Sequence, residues 1–157
     1  MIMRRIVGVI GAGECDAQIG ELAEEVGARL AHHDLVVLTG GRGGVMAAAS
    51  RGARQAGGLT VGILPGQTYE GVNPDIDIPI LTGLGEARNA VVACASEVLV
   101  AIAGEYGTLS EIALALKMGR SVIGLLTWSL MTDVIVVENP EQAVQKVLDS
   151  LDMRESY

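Results

Sequence analysis

Two glycine-rich loops are the segments of this sequence best suited to bind an anion. The first, 40–46, reads GGRGGVM, and the second, 103–111, reads AGEYGTLSE. Each lies between a predicted strand and a predicted helix, where backbone N–H groups are open to an anion and the helix dipole favours negative charge. The loops therefore predict a phosphate site. The alternative for the first loop is that its glycines serve only close packing of the helix on the strand.

The glycine-rich segments of the sequence lack the full signatures of the known nucleotide-binding motifs. The first lacks the Lys and the Ser or Thr of a P-loop, so Mg-ATP hydrolysis of that type is not predicted. Gly11 and Gly13 follow the first predicted strand as in dinucleotide-binding proteins, but Asp16 replaces the third glycine. No acidic residue ends the second strand, which excludes an NAD-dependent dehydrogenase. A tight turn and a ligand contact remain equal alternatives for these two glycines.

Arg88 and Glu111 are the charged residues that could act beside these loops. Arg88 stands near a predicted helix start, where the dipole disfavours a guanidinium unless an anion lies between them. An arginine can hold phosphate by two parallel hydrogen bonds, and the alternative is a solvated Arg88 paired with Glu86. Thr108 and Glu111 have the spacing of a capping box, which needs no ligand, although capping and function can coexist.

The candidate site combines these loops and charges at one crevice. Glycine amides and the Thr108 hydroxyl would hold phosphate, Arg88 would supply positive charge, and Tyr106 would stack on a ring. The candidate ligand-binding residues are Gly11, Gly13, Gly40, Gly41, Gly43, Gly44, Met46, Arg88, Asn89, Gly104, Tyr106, Gly107, Thr108 and Glu111.

Composition narrows the classes of partner. The formal charge of −8 opposes binding to DNA or RNA, and no apolar stretch approaches the ~20 residues of a membrane span. Cys15 and Cys94 form no metal-ligand cluster, and we expect Cys94 to be a core residue. We therefore expect a cytoplasmic protein without a metal site, a nucleic-acid partner or a membrane partner.

Short β-branched segments alternate with amphipathic ones, a pattern typical of βα units in a parallel sheet. Strands are predicted at 5–10, 35–38, 60–64, 98–102, 122–125 and 134–137, with 78–81 as an optional further strand. We predict a single Rossmann-like α/β domain over 1–151, with helices on both faces of a mostly parallel sheet of about six to seven strands. Residues 152–157 are predicted to form a frayed tail.

The sequence resembles, over essentially its full length, the Lonely Guy superfamily of Rossmann proteins, which are also described as lysine-decarboxylase-like. Residues 40–46 match the superfamily's GGxxGxM-like loop. Residues 103–111 match its PGGxGTxxE motif, except that Ala103 replaces the proline and Glu105 replaces the second glycine. The short length and the run GTLSEIA look closer to a compact branch that includes the molybdenum cofactor carrier proteins.

The resemblance implies a homodimer or homotetramer and leaves two functions open. Compact members bind a pterin cofactor with a terminal phosphate, which implies a carrier of a phosphorylated nucleotide-like ligand, with molybdenum cofactor as cargo. The longer members are phosphoribohydrolases that cleave the N-glycosidic bond of cytokinin nucleoside 5'-monophosphates. Their catalytic Glu and Arg match Glu111 and Arg88, whereas Asn89 stands where those enzymes usually carry Lys.

Overall fold

A computed structural model describes residues 3–129 and 133–155 of the chain. All seven strands run parallel in one sheet, in the order β4-β3-β2-β1-β5-β6-β7. The strands are β1 (Ile6–Gly11), β2 (Val36–Thr39), β3 (Thr60–Leu64), β4 (Ile78–Leu81), β5 (Val98–Ile102), β6 (Ser121–Leu125) and β7 (Val134–Val137). The predicted α/β class is confirmed, and the optional strand is present.

Helices cover both faces of the sheet, as predicted from the continuous apolar strands. The helices are α1 (Ala17–His32), α2 (Val45–Gln55), α3 (Arg88–Ala95), α4 (Tyr106–Lys117) and α5 (Pro140–Glu155), and a 3-10 turn (Gly85–Ala87) leads into α3. One buried cluster joins the sheet to α1, α2 and α5, and another joins it to α3 and α4. The core of the domain therefore consists of two apolar layers with the sheet between them.

The sheet order places a crevice beside β1. The chain leaves β1 toward β2 on one side and later returns to its other side as β5, with Gly11 opposite Ile102. In open α/β sheets, ligands bind at such a switch point, outside the carboxyl ends of the strands. The loops that follow β1, β2 and β5 all emerge at this edge.

The end of the chain differs from the prediction. Helix α5 continues to Glu155, so the frayed tail expected from residue 152 is wrong for 152–155. The last turn is held because Nη2 of Arg154 donates to the carbonyl oxygen of Gly119 at 2.6 Å. Residues 156 and 157 lie outside the described residues.

The structure also bears on the membrane prediction. Over residues 3–129 and 133–155, none of the helices combines the length and the apolar character of a membrane span.

Candidate functional site

A cavity of about 400 Å³ opens at the crevice beside β1. It brings together nine of the predicted residues: Gly11, Gly13, Gly40, Met46, Arg88, Asn89, Gly107, Thr108 and Glu111. Residues from four separate segments thus meet at one site. The volume falls in the range of small-molecule sites, which is roughly 300–1,000 Å³.

The glycines at the centre of the first loop do not line this cavity. The N–H of Gly41 donates to Oγ1 of Thr39 at 3.0 Å, and the N–H of Val45, the first residue of α2, donates to the carbonyl oxygen of Ala12 at 2.9 Å. Gly44 has a φ of +60°, and a Cβ there would overlap the carbonyl oxygen of Ala12. Gly41, Gly43 and Gly44 therefore pack this loop on its neighbours, while Gly40 and Met46 reach the cavity.

Helix α4 begins earlier than the capping-box prediction requires. Its N-cap is Glu105, whose side chain makes no capping hydrogen bond. Thr108 is therefore the third helical residue rather than the cap, and the predicted Thr108–Glu111 capping box is wrong. The N–H of Leu109 is the first in the helix to be bonded, to the carbonyl oxygen of Glu105 at 3.0 Å.

The amides ahead of Leu109 remain open. The N–H groups of Tyr106, Gly107 and Thr108 have no acceptor within the described part of the chain. Unsatisfied N–H groups at the start of a helix of 12 residues, together with the helix dipole, are suited to bind an anion.

Arg88 enters the cavity from the start of α3. Its Nη1 donates to the carbonyl oxygen of Ile63 at 2.9 Å, and its buried Nε has no partner among the described residues. A Cβ on Gly40 would overlap Nη1 of Arg88 and would lie 2.7 Å from Sδ of Met46. The guanidinium therefore occupies the space that this glycine leaves free.

Burial changes the electrostatics of Arg88. It lowers the pKa of Arg88 below its usual value, and the carboxylates of Glu111 and Glu86 partly offset this effect. An arginine remains charged at neutral pH. The cavity therefore holds a partly desolvated positive charge.

Glu111 projects into the same cavity from α4. It is only 8% exposed, and no hydrogen bond or ion pair joins its carboxyl to another described residue. Burial is the main reason that the pKa of Glu111 is raised to about 7. The positive charge of Arg88 lowers this pKa, and the negative charge of Glu86 raises it. Near neutral pH this carboxyl populates both protonation states, so it can accept or donate a proton.

Two of the remaining predicted residues lie outside the cavity, and a third is already hydrogen-bonded within the protein. Gly104 and Tyr106 do not line the cavity. Tyr106 is 80% exposed, and its ring lies 6.0 Å from that of Trp128. Asn89 lines the cavity but donates through Nδ2 to Oγ of Ser110 at 3.2 Å. Tyr106 thus pairs with the protein's own indole, and the Asn89 amide already has one partner.

The acidic character of the cavity was not predicted from the sequence. Glu14, Glu86 and Glu105 line it together with Glu111, against the single arginine Arg88. Glu14 directly follows Gly13 in the loop after β1, a position that could have identified it. Over the described residues, no group of His, Cys, Asp and Glu is arranged to hold a metal ion.

The sheet order and the crevice beside β1 define a Rossmann-like α/β domain. Residues 4–155 match the SLOG cluster4 family, and the chain belongs to this family. The predicted resemblance to Lonely Guy proteins and their compact branch is confirmed.

The similar proteins include both carriers and an enzyme. An uncharacterized protein of Archaeoglobus fulgidus is 43% identical over 92% of this chain and 95% of its own length. The molybdenum cofactor binding protein of Rippkaea orientalis superposes with a TM-score of 0.91 at 37% identity, over 96% of this chain and 99% of that protein. The Moco carrier protein of Chlamydomonas reinhardtii gives a TM-score of 0.88 at 38% identity, over 96% and 99% of the two chains.

A more distant relative is the cytokinin riboside 5'-monophosphate phosphoribohydrolase of Mycobacterium tuberculosis. It is 34% identical over 104 residues, which are 64% of this chain and 56% of that enzyme. The similarity to an enzyme is thus less extensive than the similarity to the carriers.

Proposed function

We propose that this protein binds a phosphorylated, nucleotide-like ligand in the cavity beside β1 and that molybdenum cofactor is its cargo. One observation carries the proposal: the open N–H groups at the start of α4 and the guanidinium of Arg88 belong to one ligand-sized cavity. The similarity to two molybdenum cofactor proteins over 96% of the chain supports the choice of cargo.

The chemistry of each group fits a phosphate monoester. Helix amides donate to phosphate oxygens, and the dipole of α4 favours the negative charge. Arg88 adds charge-assisted hydrogen bonds, which are stronger than neutral ones. Gly107 and Thr108 line the cavity and have open amides. Gly41 and Val45 lie outside it and use their amides internally, so we place the phosphate at the start of α4.

The mass of the molecule that is bound to the purified protein tests this proposal. Native mass spectrometry of protein from its own host, with elemental analysis, is expected to show a phosphorylated pterin and molybdenum. Arg88→Ala protein prepared in parallel is expected to lose most of that mass, whereas Arg29→Ala, which changes an exposed arginine, is expected to keep it. A different copurifying ligand in wild-type protein would contradict the cargo.

A second candidate function is phosphoribohydrolase activity, which one observation favours. A buried carboxyl with a pKa of about 7 shares the cavity with an arginine. When ionised, Glu111 would stabilise the positive charge that develops on a ribose as its base departs, while Arg88 holds the phosphate. Incubation with several nucleoside 5'-monophosphates, read as free base, tests this activity, with Glu111→Gln as the inactive control.

We further propose that the protein forms a homodimer or homotetramer in the cytoplasm and has no nucleic-acid or membrane partner. Exposed apolar side chains on and near the edge strand β4 support association, with Ile78 at 45%, Ile80 at 43% and Leu84 at 51% exposure. The charge of −8 disfavours nucleic acid. Light scattering at micromolar concentration tests the assembly, and a monomeric mass would contradict it.

A further inference from the structure

We propose that Glu111 binds the heterocycle of the ligand, by accepting hydrogen bonds from adjacent N–H donors such as those on the 2-amino-4-oxopyrimidine edge that pterins and guanine share. The assignment rests on the proposed function, because it takes a phosphorylated ligand to enter the cavity beside β1. It adds the residue that recognises the heterocycle and the edge of the heterocycle that this residue binds.

The charge balance of the cavity requires a ligand with two unlike ends. Glu14, Glu86 and Glu105 are exposed on its rim and Glu111 lies inside, against the one guanidinium of Arg88. A phosphate monoester brings a further charge of roughly −1.5 to −2. A ligand that is anionic throughout would be repelled, so the part of the ligand that meets Glu111 must offer hydrogen-bond donors.

Glu111 is the carboxylate for which such donors matter most. The three rim carboxylates are solvated, and their interactions are screened by water. Glu111 is 8% exposed, lines the cavity and has no hydrogen-bond or ion-pair partner among the described residues. Hydrogen bonds are stronger in a partly desolvated site than at a solvated rim, so a donor placed at Glu111 contributes more binding free energy than one placed at the rim.

The geometry of a carboxylate matches two neighbouring N–H groups. Its two oxygens accept parallel hydrogen bonds, as they do from an arginine fork. The edge of guanine offers a ring N–H beside an amino group, whereas hypoxanthine offers the ring N–H alone. GMP and IMP carry the same ribose phosphate, so the pair isolates the contribution of the amino group.

Proton release gives a readout that depends on which end of the ligand lies at Glu111. The charged groups that share the cavity with it are Arg88 at the start of α3, Glu86 in the 3-10 turn before α3, Glu14 in the β1–α1 loop and Glu105 at the N-cap of α4. N–H donors favour the ionised carboxyl, so its pKa falls from about 7 on binding and protons are released. A phosphate beside Glu111 would instead raise this pKa and cause proton uptake.

The experiment is calorimetric titration of the whole protein with GMP and with IMP, at neutral pH, in two phosphate-free buffers of different ionisation enthalpy. We expect GMP to bind about tenfold or more tightly than IMP and to release more protons. In Glu111→Gln, whose folding is checked by circular dichroism, both differences are expected to vanish. In Glu141→Gln, which changes an exposed glutamate on α5, both are expected to persist.

The outcomes separate this assignment from the proposed function. Equal affinity for GMP and IMP, no binding of GMP at millimolar concentration, or a difference that survives in Glu111→Gln would each overturn the role of Glu111. None of these outcomes would contradict a phosphorylated pterin found by mass spectrometry. Absence of any phosphorylated ligand in both experiments would overturn the proposed function as well.

Discussion

The backbone N–H of Ala103 donates to the carbonyl oxygen of Leu125 at 3.1 Å, and Ala103 has a φ of +50°. Its carbonyl oxygen accepts from Oγ1 of Thr127 at 2.5 Å. Proline has no N–H and a φ near −65°, so the proline of the PGGxGTxxE motif cannot take this conformation. The loop after β5 therefore differs from that motif in backbone conformation as well as in sequence.

Restoring that proline is expected to destabilise the protein. Ala103→Pro removes the hydrogen bond to Leu125 and forces a different φ, so we expect the free energy of unfolding to fall by about 2–4 kcal/mol. Urea denaturation measures it. Ala103→Gly is the matched control, and it should be at least as stable as the wild type, because a left-handed conformation disfavours residues with a Cβ by roughly 1–2 kcal/mol. Wild-type stability in Ala103→Pro would show that the loop can adopt the motif's conformation.

The contribution of Glu111 to the stability of the protein is expected to fall as pH rises toward 7. Burial raises the folded-state pKa of Glu111 to about 7, above its ordinary value of 4.5. The folded state therefore binds more protons than the unfolded state between these values, and stability declines across this window. The full loss is about 3 kcal/mol at most.

Glu111→Gln checks this origin of the pH dependence. Because glutamine stays neutral, the variant should be more stable than the wild type at pH about 8 and similar to it at pH about 4.5. Urea titrations at the two pH values measure the difference. Parallel pH profiles of the two proteins would show that Glu111 is not the group responsible.

Arg88→Ala is expected to reduce both ligand affinity and stability. The substitution deletes the donor to the carbonyl oxygen of Ile63, so we expect a loss of about 1–3 kcal/mol in unfolding free energy. Affinity for a phosphorylated ligand should fall by about tenfold to a hundredfold, the range for a hydrogen bond to a charged group. Thermal unfolding and calorimetry measure the two effects.

Arg29→Ala serves as the control for Arg88. Arg29 pairs with Glu25 on an exposed helix face, so its removal should change stability by no more than about 0.5 kcal/mol and leave affinity unaltered. If Arg88→Ala bound the ligand as tightly as the wild type, the anion would not lie beside this guanidinium.

Glu105→Gly tests the departure from the motif at the start of α4. It removes a carboxylate next to the open amides, so we expect affinity for a phosphorylated ligand to rise about three- to tenfold at low salt. The gain should shrink at high ionic strength, where such charges are screened. Glu105→Gln removes the charge alone and should give a similar gain. Weaker binding in both variants would instead place Glu105 in contact with the ligand's donor groups.

The sequence predicted which strands and helices are present more accurately than the residues at which they begin and end. Strand β3 has its predicted bounds because Gly57 and Gly58 before it and Pro65 and Gly66 after it limit where the strand can begin and end. Helix α4 begins at Tyr106, ahead of the cap predicted at Thr108, because Glu105 occupies the N-cap. The conformation of this loop depends on contacts with β6 and the segment after it. Local spacing cannot report such contacts.

Single residues of the site were harder to predict than the loops that carry them. Cys94 was expected in the core but is exposed, because the apolar pattern of a short helix leaves its orientation ambiguous. The first glycine loop indicated a phosphate cradle, yet its Gly41 and Val45 amides are bonded within the protein. Arg88 and Glu111 reach one cavity only because β1 and β5 are neighbours in the sheet.

The hydrogen bond from Arg88 to Ile63 has a thermodynamic consequence. An arginine side chain loses roughly 1.5–2 kcal/mol of conformational entropy when it is ordered, and here folding rather than binding imposes that loss. A ligand therefore meets a preorganised guanidinium, and the affinity of the complex is not reduced by freezing its rotamers. We expect cargo to dock without rearrangement of this side chain, so the cavity of the free protein already has the shape of the loaded one on the Arg88 side.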